Sequence, residues 1–203
     1  YASRCYLPTS WTELPLVAKQ EHSHDSTIYS FGLPEGQSLQ LPVCACLLLR
    51  VPGAHGNEDA VRPYTPVSDE ATLGRFDLLI KRYPGGAASQ HLHSLALGET
   101  VDFKHITHNV KTQHPFGKRS ISMICAGSGV TPMVQALRKL VHTPGDETEV
   151  VLLVGNKSED DILMRDDLDD LVRSSRGRLK VVHVLGTAAD SAPPVGWRSS
   201  ETY

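Results

Sequence analysis

The stretch Ser120-Ile-Ser-Met-Ile-Cys-Ala-Gly-Ser-Gly-Val-Thr-Pro-Met133 decides the fold. Its first half is an apolar run typical of a β-strand, and Gly127 ends that run. From Met133 to Val141, apolar residues recur at the spacing of a helix. A strand that passes directly into a helix indicates the start of an alternating α/β unit.

The chain continues this alternation toward its C-terminus. Val150 to Val154 is a second β-rich run, Ser158 is a candidate N-cap before a helix that ends near Val172, and Leu179 to Leu185 is a third run. These elements predict a parallel sheet with right-handed crossovers. Because a doubly wound domain normally has more than three strands, we expect an incomplete sheet here, with at least one further strand and helix beyond residue 203.

The first half has a different rhythm, in which short apolar segments alternate with Gly, Pro and Asn clusters. The segments are Thr27 to Phe31, Leu41 to Val51, Phe76 to Tyr83 and Thr100 to Phe103. They predict an antiparallel β-barrel. Cys44 and Cys46 are expected on one face of the second segment. We predict two domains, residues 1–115 and 116–203.

Composition excludes several classes of function. A net charge of −3 argues against nucleic-acid binding, and no apolar stretch is long enough to cross a bilayer. Four cysteines without paired spacing predict free thiols in an intracellular compartment. Since the first residue is Tyr1, we expect a longer parent protein, anchored at a mitochondrial or endoplasmic-reticulum membrane by a segment outside this chain.

Three segments are candidate ligand sites. In Gly127 to Met133, the glycines allow close approach of a phosphate to the helix N-terminus, although tight turns also use glycine for steric reasons. Lys81 to Gln90 leads into a helix predicted over Gln90 to Leu97 with Ser89 as its N-cap, which is either a pyrophosphate site or a capped helix only. Arg62 to Ser68 combines a guanidinium with a phenol, but is also compatible with a rigid turn.

Together the three segments resemble the ferredoxin reductase-like flavoenzymes, and among them the NADH:cytochrome b5 reductases. That family has an R-x-Y-T-P-x-S segment, an I-K-x-Y strand with a G-x-x-S turn, and a G-(T/S)-G-(I/V)-T-P-M turn. Arg62 to Ser68, Ile80 to Ser89 and Gly127 to Met133 match them in this order. The resemblance implies a six-stranded antiparallel FAD-binding barrel followed by a nicotinamide-binding α/β domain.

The resemblance also implies a set of site residues. Two catalytic residues are implied. Tyr64 would contact the flavin, and Thr131 would lie between the flavin and the nicotinamide. The implied cofactor-binding residues are Arg62, Pro63, Tyr64, Thr65, Leu79, Lys81, Tyr83, Gly86, Ala87, Ala88, Ser89, Gly127, Ser128, Gly129, Thr131 and Pro132. The ten histidines are expected at the surface rather than at a metal site.

The implied activity is hydride transfer from NADH to FAD and then single-electron transfer to a heme protein such as cytochrome b5, by a monomer. NADPH is a possible donor, because Gly186 stands where the family has an Asp. The alternatives are the reductase module of a larger flavoprotein, such as a nitrate reductase, and a flavin-binding protein without turnover, since the family's C-G-P-P-x-M turn has no counterpart. Candidate cations for an acidic cytochrome are Lys104, Lys111, Lys118 and Arg119.

Overall fold

The computed structural model describes residues 5–53, 58–106 and 114–186. The N-terminal unit is one six-stranded antiparallel sheet, as the family resemblance implies, and its strand order is β4-β3-β6-β1-β2-β5. Its strands are β1 (Thr12–Ser23), β2 (Ser26–Gly32), β3 (Leu47–Val51), β4 (Ala60–Tyr64), β5 (Arg75–Lys81) and β6 (Thr100–His105). Helix α1 (Ala87–Ser94) lies between β5 and β6 in the chain.

The sheet curls around a single core. Phe31, Phe76 and Phe103 come from three strands and are fully buried, with ring centroids 4.7 to 5.8 Å apart. The segment after β4 turns back to β5, where the amide of Val67 donates to the carbonyl of Asp77 at 2.8 Å. This bond links the two edge strands, and we call the junction of β4 and β5 the seam.

The second unit is a parallel sheet of order β7-β8-β9. Its elements are β7 (Ser120–Ala126), α2 (Val130–His142), β8 (Glu149–Asn156), α3 (Arg165–Ser174) and β9 (Leu179–Leu185), with 3-10 turns at Gly127–Gly129 and Glu159–Asp161. Both helices contribute to the buried cluster on one face of the sheet. The opposite face exposes Ile124, Val151 and Val184. The predicted strand and helix alternation is therefore confirmed.

The two units share a core. Val67 and Leu79, from the seam of the barrel, are buried among the apolar side chains of the α/β unit, and Ile28 packs against the same cluster. Leu79 is only 3% exposed. The face of β5 that points out of the barrel is therefore an interface with the α/β unit.

Several boundaries differ from the sequence predictions. The structure adds β1 and β4 as strands, and the segment predicted as Leu41 to Val51 becomes a strand only at Leu47. Cys44 has a φ of 65°, so the prediction that it lies in a strand is wrong. The reason is local, because its amide donates to the side-chain oxygen of Gln135 in α2 instead of joining a sheet.

Two helices begin at residues other than those predicted. Gly86 is the N-cap of α1, so Ser89 lies inside the helix rather than at its cap. Ser158 does cap a turn, through reciprocal bonds with Asp161, but that turn is a 3-10 helix and α3 begins only at Arg165. The boundary predicted at 115/116 falls between β6 and β7 and stays a prediction. Within the three described ranges, no helix is long and apolar enough to span a membrane.

Candidate functional site

The edge strand β4 presents the first predicted residues. Arg62 is exposed, and its guanidinium donates only to the carbonyl of Val61, at 2.8 Å, among the hydrogen bonds of the described residues. Pro63 lies between Arg62 and Tyr64, where an edge strand tolerates the missing amide. Tyr64 is half-buried and packs against the barrel core. The strand thus offers a cation to solvent and an anchored ring beside it.

Arg62, Tyr83 and Tyr29 each lie within electrostatic range of Tyr64. Burial raises the pKa of the Tyr64 hydroxyl, the nearby guanidinium of Arg62 opposes that rise, and Tyr83 and Tyr29 add to it. Tyr29 is buried, whereas the ring of Tyr83 is 52% exposed. The seam therefore places Arg62 of β4 and the exposed ring of Tyr83, which follows β5, in the neighbourhood of Tyr64.

The N-terminus of α1 follows this ring. Ser89 holds the turn, since its hydroxyl accepts from the amide of Tyr83 at 3.2 Å and donates to the carbonyl of Gly86 at 3.1 Å. A Cβ on Gly86 would lie 2.6 Å from that hydroxyl, so only glycine fits. No side chain caps the helix, which leaves the amides of Ala87 and Ala88 available to an anion.

The turn between β7 and α2 is the second candidate ligand site. Gly127 has a φ of +48°, which glycine adopts readily, and no side chain caps α2. Thr131 is 7% exposed, and its hydroxyl donates to the carbonyl of Ser128 at 3.2 Å. Pro132 lies in the first turn of α2, as predicted. The turn contacts β5, so both candidate sites adjoin the same strand.

The side chain of Lys81 does not point to either glycine turn but lies in an ion-pair cluster. Its ammonium is 2.6 Å from a carboxylate oxygen of Asp25 and 3.3 Å from one of Asp161. Leu79, two residues earlier, is buried against the α/β unit. The structure thus gathers Arg62, Tyr64, Tyr83 and the start of α1 along the seam, while the side chains of Leu79 and Lys81 face the interface between the units.

The sequence did not indicate a role for Asp25 and Asp161. It also predicted surface histidines, which is wrong for His105, because that residue lies on β6 and is 5% exposed. His24, Asp25 and Asp161 are close enough together to suit a metal ion, but the ammonium of Lys81 already lies between the two carboxylates. His108 and Lys111 lie outside the described residues.

A cleft of about 490 Å³ lies on another side of the interface, between residues 39–43, residues 66–70 and the second half of α2. It contains none of the predicted site residues. Its arginine and lysine are already paired within the described residues, Arg138 with Asp167 and Lys139 with Glu70. The cleft therefore fits a role in joining the units better than a role in binding an anion.

Two family models match the chain. An oxidoreductase FAD-binding domain matches residues 13–111, and an oxidoreductase NAD-binding domain matches residues 123–203. The cytochrome b5 reductase domain of nitrate reductase from Ulva prolifera is 33% identical, with a TM-score of 0.78 over 94% of this chain and 77% of that one. The chain belongs to the cytochrome b5 reductase family.

Curated relatives in the cytochrome b5 reductase family extend beyond this chain. NADH-cytochrome b5 reductase 2 of Coccidioides immitis is 34% identical over 95% of the chain, and NADH-cytochrome b5 reductase 1 of Debaryomyces hansenii is 38% identical over 94%. The chain spans 58% and 64% of their lengths. The sequence predictions of the family, of an antiparallel FAD unit and of a nicotinamide unit are confirmed.

Proposed function

We propose that this chain binds FAD along the seam of the barrel and a reduced nicotinamide dinucleotide at the start of α2, and passes electrons to a heme protein such as cytochrome b5. One observation carries the proposal. Strand β5 borders the seam and also contacts the Gly127–Gly129 turn. Two ligands bound at these places would meet across a single strand.

The residues at the seam fit a flavin dinucleotide. We assign the pyrophosphate to Arg62 and to the amides of Ala87, Ala88 and Ser89, which follow the turn at Gly86, because a cation and a helix N-terminus both favour a dianion. The tight turn at Gly86 keeps side chains away from those amides. The exposed ring of Tyr83 and the anchored ring of Tyr64 offer flat apolar surface to a planar ligand.

The turn before α2 fits the dinucleotide in a similar way. We assign Gly127, Ser128 and Gly129 to close backbone approach, and Thr131 to the place where nicotinamide and flavin meet. The buried hydroxyl of Thr131 is held by the carbonyl of Ser128, so its oxygen keeps acceptor capacity in a fixed direction. Residues 1–115 and 116–203 are the corresponding domains in this proposal.

When bound, FAD accepts a hydride from the reduced nicotinamide and returns two electrons singly to two acceptor molecules, with release of one proton. The chain's own residues orient the two ligands and exclude water between them. No side-chain acid or base is required for the hydride step. Thr131 and Tyr64 act here by position and by hydrogen bonding.

An acidic heme protein is the proposed partner. Lys104 lies over the ring of Trp11 at 4.5 Å, with Arg50 also over that ring at 4.6 Å, and Lys118 and Arg119 are exposed before β7. Such cations speed encounter with a partner of opposite charge. The monomeric state and the anchoring of a longer parent protein at a mitochondrial or endoplasmic-reticulum membrane belong to the same proposal.

A second candidate is the reductase module of a larger flavoprotein, which the likeness to a nitrate reductase domain favours. In that case the heme acceptor belongs to the same polypeptide. The full-length parent protein separates the two candidates, because a heme spectrum in the purified parent would identify an internal acceptor, and reduction of added cytochrome b5 an external one.

The deciding experiment is anaerobic stopped-flow absorbance of the FAD-loaded protein, following the flavin band near roughly 450 nm after mixing with NADH or with NADPH. Rapid bleaching by either donor supports the proposal, and the ratio of the two rates gives the dinucleotide preference. Bound flavin that stays oxidised with both donors would support a flavin-binding protein without turnover. Failure to bind FAD would contradict the proposal.

A further inference from the structure

One lysine is shared by carboxylates of the two units. Lys81 ends β5 of the barrel, Asp25 lies at the turn between β1 and β2, and Asp161 lies in the 3-10 turn that precedes α3. The ammonium is 2.6 Å from Asp25 and 3.3 Å from Asp161. All three side chains are largely buried, with exposed fractions of 17%, 24% and 13%. The only lysine of this cluster therefore bridges the barrel and the α/β unit.

Each carboxylate is fixed from its own side. The hydroxyl of Ser26 donates to Asp25 at 2.9 Å. Asp161 accepts from the amide of Ser158 at 3.1 Å and from its hydroxyl at 2.8 Å. Because both carboxylates are also held within their own units, the ammonium of Lys81 joins two turns that are each fixed locally.

A hydrogen bond joins residues next to the same two turns. His22 Nε2 accepts from the amide of Met164, a residue with a φ of 58° just before α3, at 3.0 Å. His24 is more exposed and lies 3.5 Å from Asp25 and 3.8 Å from Asp161. The β1–β2 hairpin of the barrel thus contacts the segment before α3 at Asp161 and at Met164.

We propose that Lys81, Asp25 and Asp161 form a latch that fixes the angle between the two units and thereby holds the nicotinamide at hydride-transfer distance from the flavin. This inference rests on the proposed function. Reacting atoms must lie roughly 3 to 3.5 Å apart, and an error of about 1 Å can slow the reaction by about 100-fold. Lys81 is accordingly a positioning residue, which differs from the cofactor contact implied by the family resemblance.

The test uses Lys81→Met, Asp25→Asn, Asp161→Asn and the double variant Lys81→Met/Asp161→Asn in the FAD-loaded protein. Asp160→Asn is the matched control, because Asp160 stands in the same turn, is exposed and takes part in no ion pair within the described residues. Flavin reduction by NADH is measured by stopped flow. Hydrogen exchange across residues 158–165 reports the amide of Met164 directly.

The latch predicts that all three single variants lower the rate of flavin reduction by about tenfold or more, and speed exchange across residues 158–165, with FAD affinity unchanged within about twofold. The double variant should be no worse than Lys81→Met, because both changes break one shared interaction. Lys81→Arg keeps the charge and should restore both the rate and the slow exchange. Asp160→Asn should match the unmodified protein.

Two results would overturn the latch. One is a lowered rate in Lys81→Met alone, with normal rate and exchange in both Asp variants, which would make Lys81 a direct cofactor contact. The other is loss of FAD from Lys81→Met together with full retention in Asp161→Asn. If the unmodified protein is not reduced by NADH, the proposed function fails, whereas the exchange data and the comparison with Asp160→Asn still test the latch.

Discussion

At the scale of single residues, Gly86 has almost no room for a side chain. A Cβ there would lie 2.6 Å from the hydroxyl of Ser89, so Gly86→Ala forces the turn before α1 to move. We expect a loss of about 1–3 kcal/mol in the free energy of unfolding. We also expect weaker FAD binding, because the amides of Ala87 and Ala88 would shift. Urea unfolding and a fluorescence titration with FAD measure the two effects.

Ser89→Ala supplies the control for this prediction. It removes the atom that collides with the new Cβ, so Gly86→Ala should cost less in the Ser89→Ala background than in the unmodified chain. Ser89→Ala alone still destabilises, by about 1–3 kcal/mol, because the amide of Tyr83 loses its acceptor. Additive losses in the double variant would show that the collision is not the cause.

We propose that the absence of a carboxylate at Gly186 relaxes the dinucleotide preference in the proposed function. Gly186→Asp fits without strain among the described residues, since its Cβ would come no closer than 3.7 Å, to the carbonyl oxygen of Asn156. A carboxylate at the end of β9 would repel a 2′-phosphate and accept a hydrogen bond from a ribose hydroxyl. We expect the ratio of NADH to NADPH reduction rates to rise about tenfold. Gly186→Asn has the same size without charge, and an equal change with Asn would argue against electrostatic selection.

At the scale of elements, the turn between β1 and β2 makes the stability depend on pH. Burial works to raise the pKa of Asp25, but the hydrogen bonds from Lys81 and Ser26 outweigh it and the pKa falls. The pKa of Asp161 falls chiefly through its bond to Ser158, with Lys81 adding to the effect. Both carboxylates therefore stabilise the fold above their unfolded pKa of about 3.9, and this contribution is lost as pH drops through the lower folded values.

Lys81 behaves in the opposite sense. Burial works to lower its pKa, and the bonds to Asp25 and Asp161 reverse this and raise it. Its contribution to stability is complete below about pH 10.4 and is lost as pH rises through the pKa of Lys81 in the folded protein.

We expect the urea concentration at the unfolding midpoint to decrease when the pH is lowered below about 4. The decrease should be less steep in Asp25→Asn and in Asp161→Asn. His24 also faces the cluster, so His24→Asn is the control for a contribution of this imidazole. An acid profile that is identical in all variants would contradict the assignment.

Periodicity recovered the elements with a continuous apolar run or a helical apolar repeat, namely β7, β8, β9 and α2. It missed β1, where charged and polar residues on the exposed face interrupt the apolar alternation. It also missed β4, because Pro63 is read as a turn signal unless the strand is known to be an edge. The start of α1 moved to Gly86 because Ser89 bonds backward to the turn instead of capping the helix.

At the scale of the whole molecule, the shared core predicts that the two units unfold together. Leu79→Ala should lower the free energy of unfolding by about 2–5 kcal/mol, since this barrel residue is 3% exposed within the cluster of the α/β unit. Leu73→Ala is the control, because Leu73 is 62% exposed and should change stability by about 0.5 kcal/mol or less. Urea unfolding followed by fluorescence and circular dichroism should give one transition, and two separated transitions would show independent units.

The candidate site was predictable as three segments but not as an arrangement. Glycine turns at helix starts are visible in the sequence, and so are the matches to the family motifs. Which side chains face the seam depends on the closure of the sheet at Val67 and on the packing of β5 against the α/β unit. For the same reason the roles of Asp25 and Asp161, which lie 136 positions apart, required the structure.

The seam affects how much of the protein persists in a cell. Edge strands β4 and β5 meet there through the segment after β4 rather than through a continuous ladder, and exposed strand edges invite association with other chains. A flavin bound across this junction favours the folded form by mass action. Riboflavin shortage would then act first on abundance, because chains awaiting their cofactor would be removed by proteases or aggregate before any deficit in turnover per molecule arose.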